Sequence, residues 1–155
     1  MGQSTDAILF WGYCWDEERA WPWDDPGADE EETASERYAR LTGLKQPDNG
    51  YPMEIDKSPE ADAIRARHAE YWQAENEAWN AVRMEVGTHC HGECPMPYVA
   101  VGESHTLASR GTPEPISSLA VGEDWRARLD SFCSLMGIEP PGGQQPQWWL
   151  VSDWH

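Results

Sequence analysis

Residues 86–110 read V-G-T-H-C-H-G-E-C-P-M-P-Y-V-A-V-G-E-S-H-T-L-A-S-R, and the fold turns on how this stretch is parsed. Upstream of it the apolar residues recur at helical spacing; within it they begin to alternate. Ser58 is a good N-cap, Pro59 suits the first helical position, and Glu60 and Asp62 place acids in the first turn. The stripe Ala61, Ile64, His68, Tyr71, Trp72, Ala78, Trp79, Val82, Val86 then predicts a long helix that ends near residue 86 and stops at Gly87. An aromatic stripe at that spacing reads as core, and His68 within it as a core histidine with its hydrogen bonds satisfied. Downstream, residues 98–101 and 104–110 flank Gly102-Glu103, a two-residue turn with glycine first, which predicts a type II′ hairpin.

Working outward, residues 6–15 (D-A-I-L-F-W-G-Y-C-W) alternate between Ile8, Phe10 and Cys14 on one side and Leu9, Trp11, Tyr13 and Trp15 on the other. Both faces are apolar, which predicts a central strand. The end, Q-W-W-L-V-S-D-W-H at 147–155, has the same character. A short helix is predicted over 29–44 and a second amphipathic one over 123–136, with Trp125, Leu129, Phe132, Cys133 and Met136 on one face and Gly137 as its stop. Prolines and glycines mark 45–57 and 139–147 as connectors. The expected architecture is one α+β domain spanning residues 1–155. A mainly antiparallel sheet holds the N-terminal strand, a central hairpin and the C-terminal strand, and the long helix packs on one face beside a second shorter helix.

Charge is the strongest compositional signal. The 155 residues contain 28 acids and 11 Lys or Arg, a formal charge of −17. Residues 1–36 hold eleven of the acids and a single base, Arg19. Such a chain repels phosphate backbones, so direct binding of nucleic acid is not expected; attraction to basic protein surfaces is. The ten tryptophans exclude a disordered acidic chain and provide the residue type that anchors interfaces. No signal peptide, membrane span or myristoylation pattern is read, and four cysteines in a chain of this length suggest a reducing cytoplasm rather than a disulfide scaffold.

Two clusters carry candidate chemistry. The first is acidic: Asp16, Glu17 and Glu18 after the first strand, then the loop at about 21–32 with Asp24, Asp25, Asp29, Glu30, Glu31 and Glu32. Flanked by Trp21 and Trp23, these carboxylates form the expected partner-binding set, spaced as an imitation of a phosphate backbone. The second is His89, Cys90, His91 and Cys94, which are the right residue types for zinc but lie too close together for all four to reach one ion, since neighbours in an extended segment point apart. A Cys–His nucleophile built on Cys90 with His89, His91 or His105 has no oxyanion hole or orienting group marked beside it. Phosphate-loop, dinucleotide, serine-hydrolase and zinc-protease motifs are absent from the sequence.

The blocks G-Y-C-W-D-E-E (12–18), H-C-H-G-E-C-P-M-P-Y (89–98) and W-W-L-V-S-D-W (148–154) resemble small acidic proteins encoded in bacteriophage genomes. That resemblance implies a phage origin and a role inside the bacterial cytoplasm, without a transferable activity. The combined expectation is a protein with no catalytic residues and no cofactor. It binds a basic surface of a host protein, blocking a nucleic-acid-handling or defence complex by charge mimicry, away from membranes. The alternative is a small zinc protein or enzyme centred on residues 89–94. A tryptophan-lined module for sugar or peptide is a third, weaker reading.

Overall fold

The computed structural model describes residues 5–23 and 32–154. Across these residues the chain is α+β, with three α-helices and a five-stranded, mostly antiparallel sheet. Its elements are β1 (Thr5–Cys14), α1 (Ala34–Leu41), α2 (Pro59–Val82), β2 (Met84–His91), β3 (Cys94–Val101), β4 (Thr106–Ala108), α3 (Trp125–Met136) and β5 (Gln147–Trp154). They group into two compact units, one holding all the strands and α3, the other residues 31–82 with α1 and α2.

In the sheet unit the strand order is β3-β2-β5-β1-β4, and β1 pairs with β3 as well. β1 is antiparallel to β5 over its length, from Thr5↔Trp154 to Gly12↔Gln147. Its other edge is shared between β4 near Ile8 and β3 near Tyr13. β2 pairs with β3 from Met84↔Val101 to His91↔Cys94 and meets β5 in parallel only at Cys90↔Asp153 and His91↔Trp154. The pairings β1–β5–β2–β3–β1 therefore close into a ring. Ile8, Phe10, Cys14, Tyr98 and Ala100 fill its inside with Trp149 and Val151, and Phe10 stacks on Tyr98 at 4.5 Å. Small residues make that closeness possible: a Cβ on Gly12 would stand 2.0 Å from the Val99 carbonyl oxygen, and one on Gly87 2.5 Å from the Tyr98 hydroxyl.

The other face of β1 presents Trp11 and Tyr13 toward α3. Trp11 lies 5.8 Å from Trp125, Tyr13 feels Arg126, Asp130 and Cys133, and α3 buries Leu129, Phe132, Cys133 and Met136 at helical spacing. Gly137 ends α3 at φ +69, as its position in the sequence predicts. The both-sided apolar pattern of β1 is thus explained by a ring interior on one side and a helix on the other.

Three boundaries differ from expectation. The long helix ends at Val82 rather than near residue 86, because Arg83 takes a left-handed conformation (φ +55) and residues 84–91 form a strand. The Arg83 carbonyl accepts the Gly102 N–H at 2.9 Å and the Arg128 guanidinium at 2.8 Å, so the break is held by the end of β3 and by α3. The hairpin is consequently β2–β3, turning at Gly92-Glu93; Gly102–Ser104 is a 3-10 turn that sends the chain to β4, which pairs with β1. The first helix starts at Ala34, where Thr33 and Glu36 form a reciprocal capping box.

In the helical unit α1 and α2 pack together, with Tyr38 edge-on to Trp79 at 6.0 Å. His68 donates from Nε2 to the Asn49 carbonyl at 2.7 Å, and buried Glu75 accepts the Ser35 hydroxyl at 2.6 Å. Both are fixed polar groups of the core.

Candidate functional site

Strand geometry divides the His/Cys group. In the β2–β3 register His91 stands opposite Cys94 and His89 opposite Met96, while Cys90 faces the other side of the hairpin. Cys90 sits at φ +81, a conformation disfavoured for a residue with a Cβ. His91 Nδ1 accepts the Glu93 N–H at 3.1 Å. His89 reaches instead to the end of β1, with Nε2 3.0 Å from the Trp15 carbonyl oxygen and 3.2 Å from Cys14 Sγ. Among the described residues no three His, Cys, Asp or Glu side chains come together in a way that could hold a metal ion.

The Cys14–His89 pair has the residue types of a nucleophile and its base but the wrong electrostatics. A carbonyl oxygen can only accept, so Nε2 carries the proton and directs it at Trp15; it has no lone pair with which to take one from Cys14. Burial, reinforced by the charge of Asp16, pushes the Cys14 thiol up to about 11, away from the range of an activated thiolate. Cys133, buried under α3, is pushed up to about 12 in the same way. His89 therefore pins the chain where it leaves β1.

That exit forms one wall of a cleft of about 700 Å³. Cys14 to Glu17 and Arg19 line one side, His89 and Met96 the hairpin side, Glu139 to Gly142 and Gln144 a turn above, and Trp149, Leu150 and Val151 the last side. Backbone pairing explains the walls. The Trp15 and Arg19 N–H groups continue along β3 to the carbonyls of Pro97 and Pro95. Where β5 stops pairing at Gly12, the Gln144 side chain takes over: its Oε1 accepts the Cys14 N–H at 3.1 Å and its Nε2 donates to the Cys14 carbonyl at 3.2 Å. Trp149 Nε1 donates to the Gly12 carbonyl at 3.1 Å.

β5 itself is paired along only one edge for most of its length. β1 occupies one side, and on the other β2 pairs with it only at Asp153 and Trp154. Three consecutive residues, Trp149, Leu150 and Val151, line the cleft, so the strand presents its edge there and not only a face. Leu150 is 72% exposed. The mouth carries exposed Asp16, Glu17 and Glu139 against one cation, Arg19.

The remaining residues of the acidic set fall in different places. Asp16, Glu17 and Glu18 are exposed. Trp23 is buried, bridges to Ile138 and stacks on half-buried Trp21 at 4.9 Å. Glu32 belongs to the helical unit, where Arg40 holds it at 2.7 and 3.0 Å and Arg37 lies at 3.5 Å; those guanidinium bonds hold its carboxyl below the usual range. Asp24, Asp25, Asp29, Glu30 and Glu31 lie outside the described residues. Sequence reasoning missed Glu139, Gln144 and Met96 because each reaches the cleft from a distant segment, and nothing in the local pattern of any of them marks it. A second cavity, of about 470 Å³, lies in the helical unit between residues 44–49 and α2. No helix among the described residues is long and apolar enough to cross a membrane. No family model, no curated protein and no solved structure matches the chain.

Proposed function

We propose that this is a non-catalytic binding protein that docks a basic surface of another protein at the acidic cleft beside β5. The role fits an accessory protein of phage type that blocks a nucleic-acid-handling or defence complex of its host cell. One observation carries the reading: three exposed carboxylates line an open cleft walled in part by Met96, Trp149, Leu150 and Val151, in a chain of net charge −17. Carboxylates that arginines already hold, as Arg40 holds Glu32, contribute little to such attraction; those of Asp16, Glu17 and Glu139 have one cation, Arg19, on the cleft wall beside them. Complementary charge would speed encounter and restrict the choice of partner, while contact area within the cleft would set the dissociation rate.

Affinity capture from bacterial lysate at about 50 and 500 mM salt tests this, a range over which exposed charges are progressively screened. A basic partner retained at low salt and lost at high salt, and lost at low salt with the triple reversal D16K/E17K/E139K, is the expected result. A partner that binds equally at both salts, or equally well to the reversed variant, would overturn the reading. Reversal of Asp24, Asp25, Glu30 and Glu31 to Lys reports separately on the acidic loop.

A further inference from the structure

We infer that the cleft takes an extended, Lys- or Arg-bearing segment of the partner, which adds as a strand to the open edge of β5. The inference rests on the binding reading above and goes further by naming the mode. An unpaired edge exposes a row of N–H and C=O groups, and folded proteins blunt such edges with charge, proline or a covering element. From Gln147 to Ser152 the sequence is Q-W-W-L-V-S, with no charged residue and no proline, and β2 pairs with only the last two residues of the strand. The cleft runs along this unpaired part at Trp149, Leu150 and Val151, and the six residues from Gln147 to Ser152 leave an edge as long as an ordinary strand.

Strand addition derives its affinity from main-chain hydrogen bonds and its selectivity from alternate side chains. On an incoming strand one set of side chains would meet the apolar wall of Trp149, Val151 and Met96; the alternate set would emerge toward Asp16, Glu17 and Glu139 at the mouth. Those carboxylates decide the occupant. A cationic alternate set is attracted. A second copy of this chain would bring the same acidic mouth against itself, each copy carrying −17. The chain's own residues 24–31, D-D-P-G-A-D-E-E, would add five more acids to the three already there.

The probe is a fluorescein-labelled peptide K-V-K-T-K-V-K, set against the same peptide N-methylated at alternate amides, which keeps every charge and side chain but cannot complete a β-ladder. Anisotropy at low salt should show binding of the first and at least tenfold weaker binding of the second. Amide exchange at Trp148, Leu150 and Ser152, whose N–H groups point away from β1, should slow only with the unmethylated peptide, and E17K/E139K should weaken its binding at least tenfold. Equal binding of both peptides, or no binding of either, would overturn strand addition; if a partner is still captured in a salt-sensitive way, the broader binding reading survives. If salt-sensitive capture also fails, both fall. A salt-independent dimer in which these three amides are already protected would overturn the cationic occupant and put a second copy on the edge.

Discussion

Buried thiols give the clearest consequence at the scale of single residues. Cys14 and Cys133 titrate well above an exposed thiol because burial disfavours their thiolates; in the unfolded chain both return to about 9. A raised folded-state value means that the contribution to stability is complete below about pH 9 and is lost as pH rises toward 11. The unfolded chain then releases protons that the folded chain keeps. Unfolding free energy should therefore fall between pH 8.5 and 10 by at most about 1.4 kcal/mol per pH unit for each thiol. Urea melts of wild type and of C14A/C133A across this range check the point, and the double variant should show the flatter profile. Tyr13, Tyr71 and Tyr98 are also raised by burial and add the same sign of dependence at still higher pH, so the comparison stops at pH 10. Equal slopes would mean that these thiols ionise as readily in the folded protein as outside it.

Among the elements, the junction between α2 and β2 shows most clearly where sequence patterns carry the fold and where they stop. β1, α3 and β5 were legible because each has a single period and a punctuating residue, such as Gly137 after α3. Residues 82–91 carry two periods at once: Val82 and Val86 extend the helical stripe, while Met84, Val86, Thr88 and Cys90 alternate as a strand. The contest is settled by bonds to Arg83 from Gly102 and Arg128, residues 19 and 45 positions away, which a local reading cannot contain. The same limit applied to the candidate site. The sequence marks His89 among its neighbours, but its partners, Cys14 and Trp15, lie some 75 residues earlier. At Arg83 the left-handed backbone opposes the bonds that hold it. Glycine should relieve that strain by roughly 1 kcal/mol while forfeiting the exposed Arg83–Glu103 ion pair, which is worth less, so Arg83→Gly should be neutral to slightly stabilising. Arg83→Val loses the same ion pair and puts a β-branched side chain at positive φ, and should be about 2 kcal/mol less stable than the glycine variant. Chemical denaturation of the pair decides it, and equal stabilities would argue that the helix ends for some other reason.

For the whole molecule net charge outweighs any single contact. At −17 the folded chain holds its carboxylates closer together than the unfolded chain does, and their repulsion opposes compaction. Local ion pairs offset part of this: Arg128 holds Glu103 at 2.6 and 3.0 Å, Arg40 holds Glu32, and Arg126 holds Asp130 at 2.9 Å. Eleven Lys and Arg cannot offset 28 acids, so repulsion should win the balance. Raising salt from about 10 to 200 mM shortens the screening length from about 30 Å to below 10 Å, which removes long-range repulsion and leaves the short, partly buried pairs largely intact. The thermal midpoint should accordingly rise by several degrees over this range, as read by the near-ultraviolet signal of the ten tryptophans. A falling midpoint would mean that attractive pairs dominate and that no excess negative field is left to recruit a basic partner. The expected rise has a direct bearing on the binding experiments: the salt that strengthens the fold should weaken the complex. Loss of a partner at high salt then reports the screening of Asp16, Glu17 and Glu139, because unfolding of the protein would run in the opposite direction.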